Sequence, residues 1–306
     1  MAIIKIHNVR KNENSRREFL KKTSLGGLGA IVGSGMKPYL PVEAANRVSG
    51  RALSLRPRYH RWYVDAGEEW LETNTGYATL DWSIPVSQVA LVLVDVWQRH
   101  YLKDTEARQE AIITQNLVPL MAACRKAGLQ IVHAPSAPVA KQHPNWVKLV
   151  NEGEMVSKRD VWPPASFRNM TGPYQPYRRP NEPREADKEK LPALTFHPRA
   201  QPTGEEPVVA TGEELHRYCK QQEILFLLFA GFNTNACILS RDYGTIQMSN
   251  RGYEVMLVRD CTTGMETKET QLTLSQTNGA ILLLEMFGQY SVTAGEVVAS
   301  LREVGS

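Results

Sequence analysis

The chain has 306 residues, 42% of them hydrophobic and 22% charged, with a formal net charge of +4. That length suits one large domain or two small ones with a sizeable core. Met1 to Ala45 carries eight Lys/Arg against three acids, so the remainder is near −1, and neither a nucleic acid nor a membrane surface is implied as a partner.

The first stretch reads as an address. "SRREFLK" (Ser15 to Lys21) precedes the glycine-rich "TSLGGLGAIVGSGM" and then "VEAA", whose small residues suit peptidase cleavage near Ala44 or Ala45. It resembles a twin-arginine export signal over residues 1–45, which implies a periplasmic or extracellular protein with no membrane partner once the signal is removed. The apolar run is too short and too interrupted to span a bilayer, which takes about 20 apolar residues.

Residues 46–88 form a polar and aromatic segment without sustained periodicity, expected to be an extended arm packed on the domain surface. "VALVLVDV" (Val89 to Val96) is then a nearly continuous apolar run rich in β-branched valine, the pattern of a strand buried on both faces of a parallel sheet. Helical spacing follows at Ile112, Ile113, Leu117, Leu120, Met121 and Cys124, with Gly128 as a stop, and the next strand is "LQIVHAP".

A Pro-rich, charged segment over residues 155–206 interrupts the pattern, and its Trp162, Phe167, Tyr174 and Tyr177 suggest a lid or a subunit contact rather than a linker. Beyond it the reading is helix "GEELHRYCKQQ", strand "ILFLLFAG", helix "ACILSRDYGTIQMSNRG", strand "YEVMLVRD", helix "METKETQLTLSQTNG" and strand "AILLLEMF". With "PVVA" (Pro207 to Ala210) as a short third strand, this βαβ repetition gives one α/β domain over 89–306. Its expected fold is a three-layer α/β/α sandwich around a mainly parallel six-stranded sheet of order 3-2-1-4-5-6.

In that order the first and fourth strands are neighbours, and ligands sit beyond their carboxyl ends. Asp95 ends one and Cys237 lies just beyond the other. At the start of a helix near Ala236 the thiolate of Cys237 is expected to be favoured, with amide N–H groups beside it to receive an oxyanion, while Asp95 moves protons. Each residue also has an ordinary reading, a small core cysteine and a turn-capping aspartate. The four cysteines, Cys124, Cys219, Cys237 and Cys261, lack zinc spacing and do not form a dense disulfide framework.

"ALVLVDVWQRHYL" together with "AGFNTNACILSRDYGTIQMSNRGYEVMLVRDCTTG" resembles the isochorismatase-like cysteine hydrolases. Gly231, Thr234 and Cys237 match the family's G-x-x-T-x-x-C turn, and Asp260 falls in the matching strand that follows. The resemblance implies Asp95 and Cys237 as catalytic residues, a cis peptide between Phe232 and Asn233, and an oxyanion hole from the N–H groups of Asn233 and Cys237. It implies cleavage of a C–N bond of amide, carbamoyl or ureide type in a small molecule, and a homo-oligomer, either dimer or tetramer. No cofactor is implied.

The family's lysine after the third strand is missing, since Thr211 occupies that slot. Lys158, Lys188, Lys190 or Arg99 are candidate replacements, and the alternatives are a non-catalytic binding or assembly protein and an ether-cleaving isochorismatase. Some members bind a metal through Asp and closely spaced His. Here His133 and His143 are ten apart with no Asp-x-His, so no metal is expected. Trp97, His100, Tyr101 and His133, near the carboxyl ends of the first two strands, are candidate pocket residues with Thr234.

Overall fold

A computed structural model of the protein describes residues 51–148 and 162–304. The proposed signal segment lies outside the described residues, as do Lys158 and the first part of the insert.

The expected α/β sandwich is present. Strand β5 (Val89–Val94) is buried at every position, as its unbroken apolar run requires. Its side chains alternate between two cores: Val89, Leu91 and Leu93 join one cluster, and Ala90, Val92 and Val94 the other. In parallel register, β5 pairs on one side with β6 (Gln130–Ala134) and on the other with β7 (Phe226–Phe232). Then follow β8 (Glu254–Thr263) and β9 (Tyr290–Val292), also parallel.

One face is covered by helix α1 (Lys103–Ile112), a π turn at Ile113–Leu117, helix α2 (Val118–Ala127) and the C-terminal helix α6 (Ala294–Val304). The other carries α3 (Gly212–Gln221), α4 (Thr245–Asn250) and α5 (Ser275–Met286). Gly128 ends α2 in the left-handed conformation, φ 71°, as its position in the sequence suggested.

Four expectations need correction. Among the described residues the sheet has seven strands, because residues 51–88 do more than lie on the surface. Within them β2 (Arg58–Arg61) and β3 (Gly76–Thr79) pair antiparallel and extend the sheet beyond β9, while β1 (Ala52–Leu55) and β4 (Trp82–Pro85) form a separate ribbon over α6. The proposed third strand at 207–210 is reduced to isolated bridges from Val208 to His133 and to Trp146, so the order 3-2-1-4-5-6 survives with one member of minimal length.

"AILLLEMF" belongs to α5 and is not a strand. A continuous apolar run fits a buried strand or a buried helix equally in periodicity. Here Thr277, Ala280, Ile281 and Leu284 form the buried stripe, whereas Leu283 and Phe287 are exposed. The sixth parallel strand is β9, and α6 after it had no counterpart in the sequence reading.

Beside β6 a partly buried ion network ties the 201–206 region to α2 and the sheet. Glu206 accepts from Arg125 Nε at 2.7 Å and lies 2.9 Å from His133 Nε2. Burial alone would raise the Glu206 carboxyl, but the hydrogen bonds from Arg125 and His133 bring it down to about 2. A carboxyl depressed in the folded state stabilises it fully above the ordinary glutamate value, and that contribution is lost as pH falls from there toward about 2. His133, lowered by burial, acts in the same direction, because the unfolded chain takes up its proton first. Glu206→Gln is expected to lower stability at pH 7 by about 2 kcal/mol and to flatten the acid limb, as read by urea unfolding at a series of pH values.

Candidate active site

The sheet brings the two candidate residues together. Val94 and Gly231 are register partners on adjacent parallel strands, Asp95 follows the first, and the turn carrying Cys237 follows the second. That close approach depends on Gly231, which adopts φ +116° and would place a Cβ 2.0 Å from the Val94 carbonyl oxygen. The Phe232–Asn233 peptide is cis.

Asp95 is 2% exposed, and its backbone turns sharply at φ 48° with its N–H donating to Ala134 O. Its Oδ2 accepts from Arg241 Nη2 at 3.2 Å, while Oδ1 lacks a well-aligned partner. Burial raises the carboxyl above its usual range; hydrogen bonding with the Cys237 thiol and the Arg241 charge pull it back part of the way.

Cys237 sits in a π turn over Thr234–Ile238. No long helix begins at Ala236, because α4 starts only at Thr245. The expectation of a favoured thiolate is accordingly corrected: burial and then the neighbouring Asp95 carboxylate push the thiol up to about 11, and Arg241 with the Asn233 backbone N–H only partly offsets them. One helical turn supplies little dipole, and a carboxylate next to a thiol favours the protonated sulfur. The pair thus sets a thiol, its proton favoured by burial and by the neighbouring acid, against the Asp95 carboxyl.

Cys237 is partly exposed, whereas Cys124, Cys219 and Cys261 are buried, and all four are free. Burial holds Cys124 and Cys219 up at about 12 and Cys261 well above its ordinary value.

The cation beside Asp95 is Arg241, which the sequence reading missed. Its backbone N–H donates to Cys237 O at 3.3 Å, one helical turn on. The i, i+4 spacing from Cys237 was the available signal, since it puts both side chains on one face of a turn. Thr211, in the lysine slot, instead caps α3: its hydroxyl accepts from the Glu214 N–H at 3.2 Å.

Of the other candidates, Lys190 pairs with Asp187 at 3.1 Å, and Lys188 lies 4.8 Å from the centre of the Tyr101 ring. Arg99 has a buried Nε with no partner among the described residues.

The candidate pocket residues separate. Trp97 bridges antiparallel to Phe196, with Gln98 N–H on Thr195 O and His197 N–H on Val96 O, so the end of the insert is fastened along the chain just after Asp95. His100 stacks on Tyr101 with ring centres 4.5 Å apart and accepts from the Leu102 N–H. Burial lowers its pKa. His133 is a buried member of the Arg125–Glu206 network, the ordinary role of a strand histidine. Thr234 is fully buried, its hydroxyl 2.7 Å from that of Thr262, and so braces β7 against β8 beneath the turn. Asp260 Oδ1 accepts the Ala294 N–H at 2.8 Å at the start of α6.

A family model described as "Isochorismatase domain" matches residues 89–285. No curated protein matches the chain. Similar solved structures include a cysteine hydrolase from Pseudomonas syringae pv. phaseolicola 1448A, at 15% identity and TM-score 0.46, covering 73% of this chain and 96% of that one. An isochorismatase family protein from Burkholderia thailandensis is 17% identical with TM-score 0.40, covering 71% and 96%. A hydrolase of the isochorismatase family from Chromobacterium violaceum ATCC 12472, described as putative in its own name, is 16% identical with TM-score 0.42, covering 71% and 95%.

Proposed function

The chain belongs to the isochorismatase family, and from that premise we propose that it is a cysteine hydrolase cleaving a C–N bond of amide, carbamoyl or ureide type in a small molecule. The observation that carries this reading is the coupled pair of Asp95 and Cys237 at the ends of adjacent parallel strands.

In the first half-reaction the Cys237 proton passes to the Asp95 carboxylate as the sulfur bonds to the substrate carbonyl carbon, and the carbonyl oxygen takes the negative charge. The Asn233 N–H, which acts on the sulfur in the resting protein, becomes a donor to that oxygen together with the Cys237 N–H. Collapse breaks the C–N bond while Asp95 returns the proton to the leaving nitrogen, leaving a thioester. Water then attacks, Asp95 takes its proton, and expulsion of the sulfur releases the acid and restores the thiol. The raised pKa of Asp95 makes it a stronger base for this work than an exposed aspartate.

Iodoacetamide labelling with mass spectrometry tests the reading without a substrate. Cys237 is expected to alkylate well before Cys124, Cys219 and Cys261, since it alone is partly exposed and has a carboxylate to accept its proton. Equal labelling of all four, or protection of Cys237, would defeat the proposal. A non-catalytic binding protein is the second reading, favoured by Thr211 serving as a helix cap where the resemblance called for a lysine.

A further inference from the structure

A buried carboxylate carries a desolvation cost that favours its neutral form unless a cation compensates. Asp95 is such a group, and the base role proposed for it requires ionisation. Around the pair stand the Ser136 backbone N–H, which acts on Asp95, and Tyr243, whose phenol is buried and donates to Pro135 O at 2.8 Å. Asp242 is engaged at 2.8 Å by the Gly212 N–H. Among these neighbours Arg241 is the cation, its Nη2 3.2 Å from Asp95 and its Nε buried without a partner among the described residues.

We propose that Arg241 is the positioning residue that keeps Asp95 ionised, so that the cation of this site resides on the nucleophile's own turn and not after the third strand. The inference rests on the reading of Asp95 as the base. It also changes what the cation does. A lysine can give up and regain a proton, whereas a guanidinium stays charged at any pH the fold survives. Every proton movement therefore falls to Asp95, and Arg241 supplies only field and orientation. The arrangement agrees with the direction seen at Arg241 itself: burial would lower its pKa, but the Asp95 charge raises it.

Carbon-13 NMR titration of the Asp95 carboxyl, assigned by its loss in Asp95→Asn, reads this directly. In Arg241→Met the midpoint is expected to rise by at least one pH unit, a tenfold change in the protonation equilibrium. Arg241→Lys should bring most of the shift back. If Arg241→Met fails to fold, Arg241→Gln removes the charge while keeping a polar side chain of similar reach. An unmoved midpoint in the uncharged variant overturns the proposal, as does a lysine variant that titrates like it. Iodoacetamide labelling of wild-type protein in the same samples separates the two ideas: an unreactive Cys237 would remove the hydrolase reading and leave the Arg241 result standing.

Discussion

Cys237→Ala is expected to lower turnover of a cleaved amide or ureide by about 10⁴- to 10⁶-fold, the range for removal of a nucleophile whose partners act only through it. Asp95 would remain to activate water, and the Asn233 N–H would remain to hold the oxygen, so the residue left is weak hydrolysis and not zero. The side chain is partly exposed at a turn, and its loss should leave the melting curve close to that of wild type. Screening amides, ureides and isochorismate against both proteins gives the answer. Activity on isochorismate that survives the substitution would point to ether cleavage without a covalent intermediate, and no turnover by either protein would favour the binding reading. Cys237→Ser should do little better than alanine, since a hydroxyl is far harder to deprotonate than a thiol that already stands at about 11.

Gly231→Ala carries the largest expected effect on stability, about 3–5 kcal/mol, or roughly 10 °C in melting temperature for a domain of this size. Two costs combine. The backbone at φ +116° is unfavourable for any residue with a Cβ, and the added atom would fall 2.0 Å from Val94 O and 2.9 Å from Val94 C. Neither strand can retreat, because β5 is paired on both sides by β6 and β7, β7 on both sides by β5 and β8, and Val94 is fully buried. Asp95 follows Val94 directly, so any separation of the strand ends also parts the carboxylate from Cys237. Gly279→Ala is the control. That glycine lies in α5 with nothing within 4 Å of an added Cβ, and the change should stabilise the protein by about 0.5–1 kcal/mol. If calorimetry finds the two variants alike, the close approach of β5 and β7 is not what Gly231 serves.

The parts of the molecule open to sequence reasoning were those governed by local rules. The unbroken apolar run at Val89–Val94 and the stop at Gly128 each announce their conformation within a few residues, whereas the cis turn after Gly231 was legible only through the family resemblance. Errors arose where local signals are degenerate. Leu, Ala and Met in "AILLLEMF" are good helix formers, and that propensity, rather than the continuous apolar run, was the better guide. The short strands of residues 46–88 are held by pairing with distant β9 and by packing on α6, and no periodicity within four residues could reveal those partners.

The sequence by itself determined the parallel core and the placing of Asp95 and Cys237 at the ends of its neighbouring first and fourth strands, because these follow from the hydrophobic pattern and the rules of βαβ connection. Only the tertiary structure decided the electrical state of the pair. Whether a thiol is raised or lowered depends on burial, on the length of the helical segment behind it and on which charges stand within a few ångströms. Here burial and the Asp95 carboxylate favour the proton on sulfur, and the guanidinium of Arg241 and a single turn of helix offset them only in part.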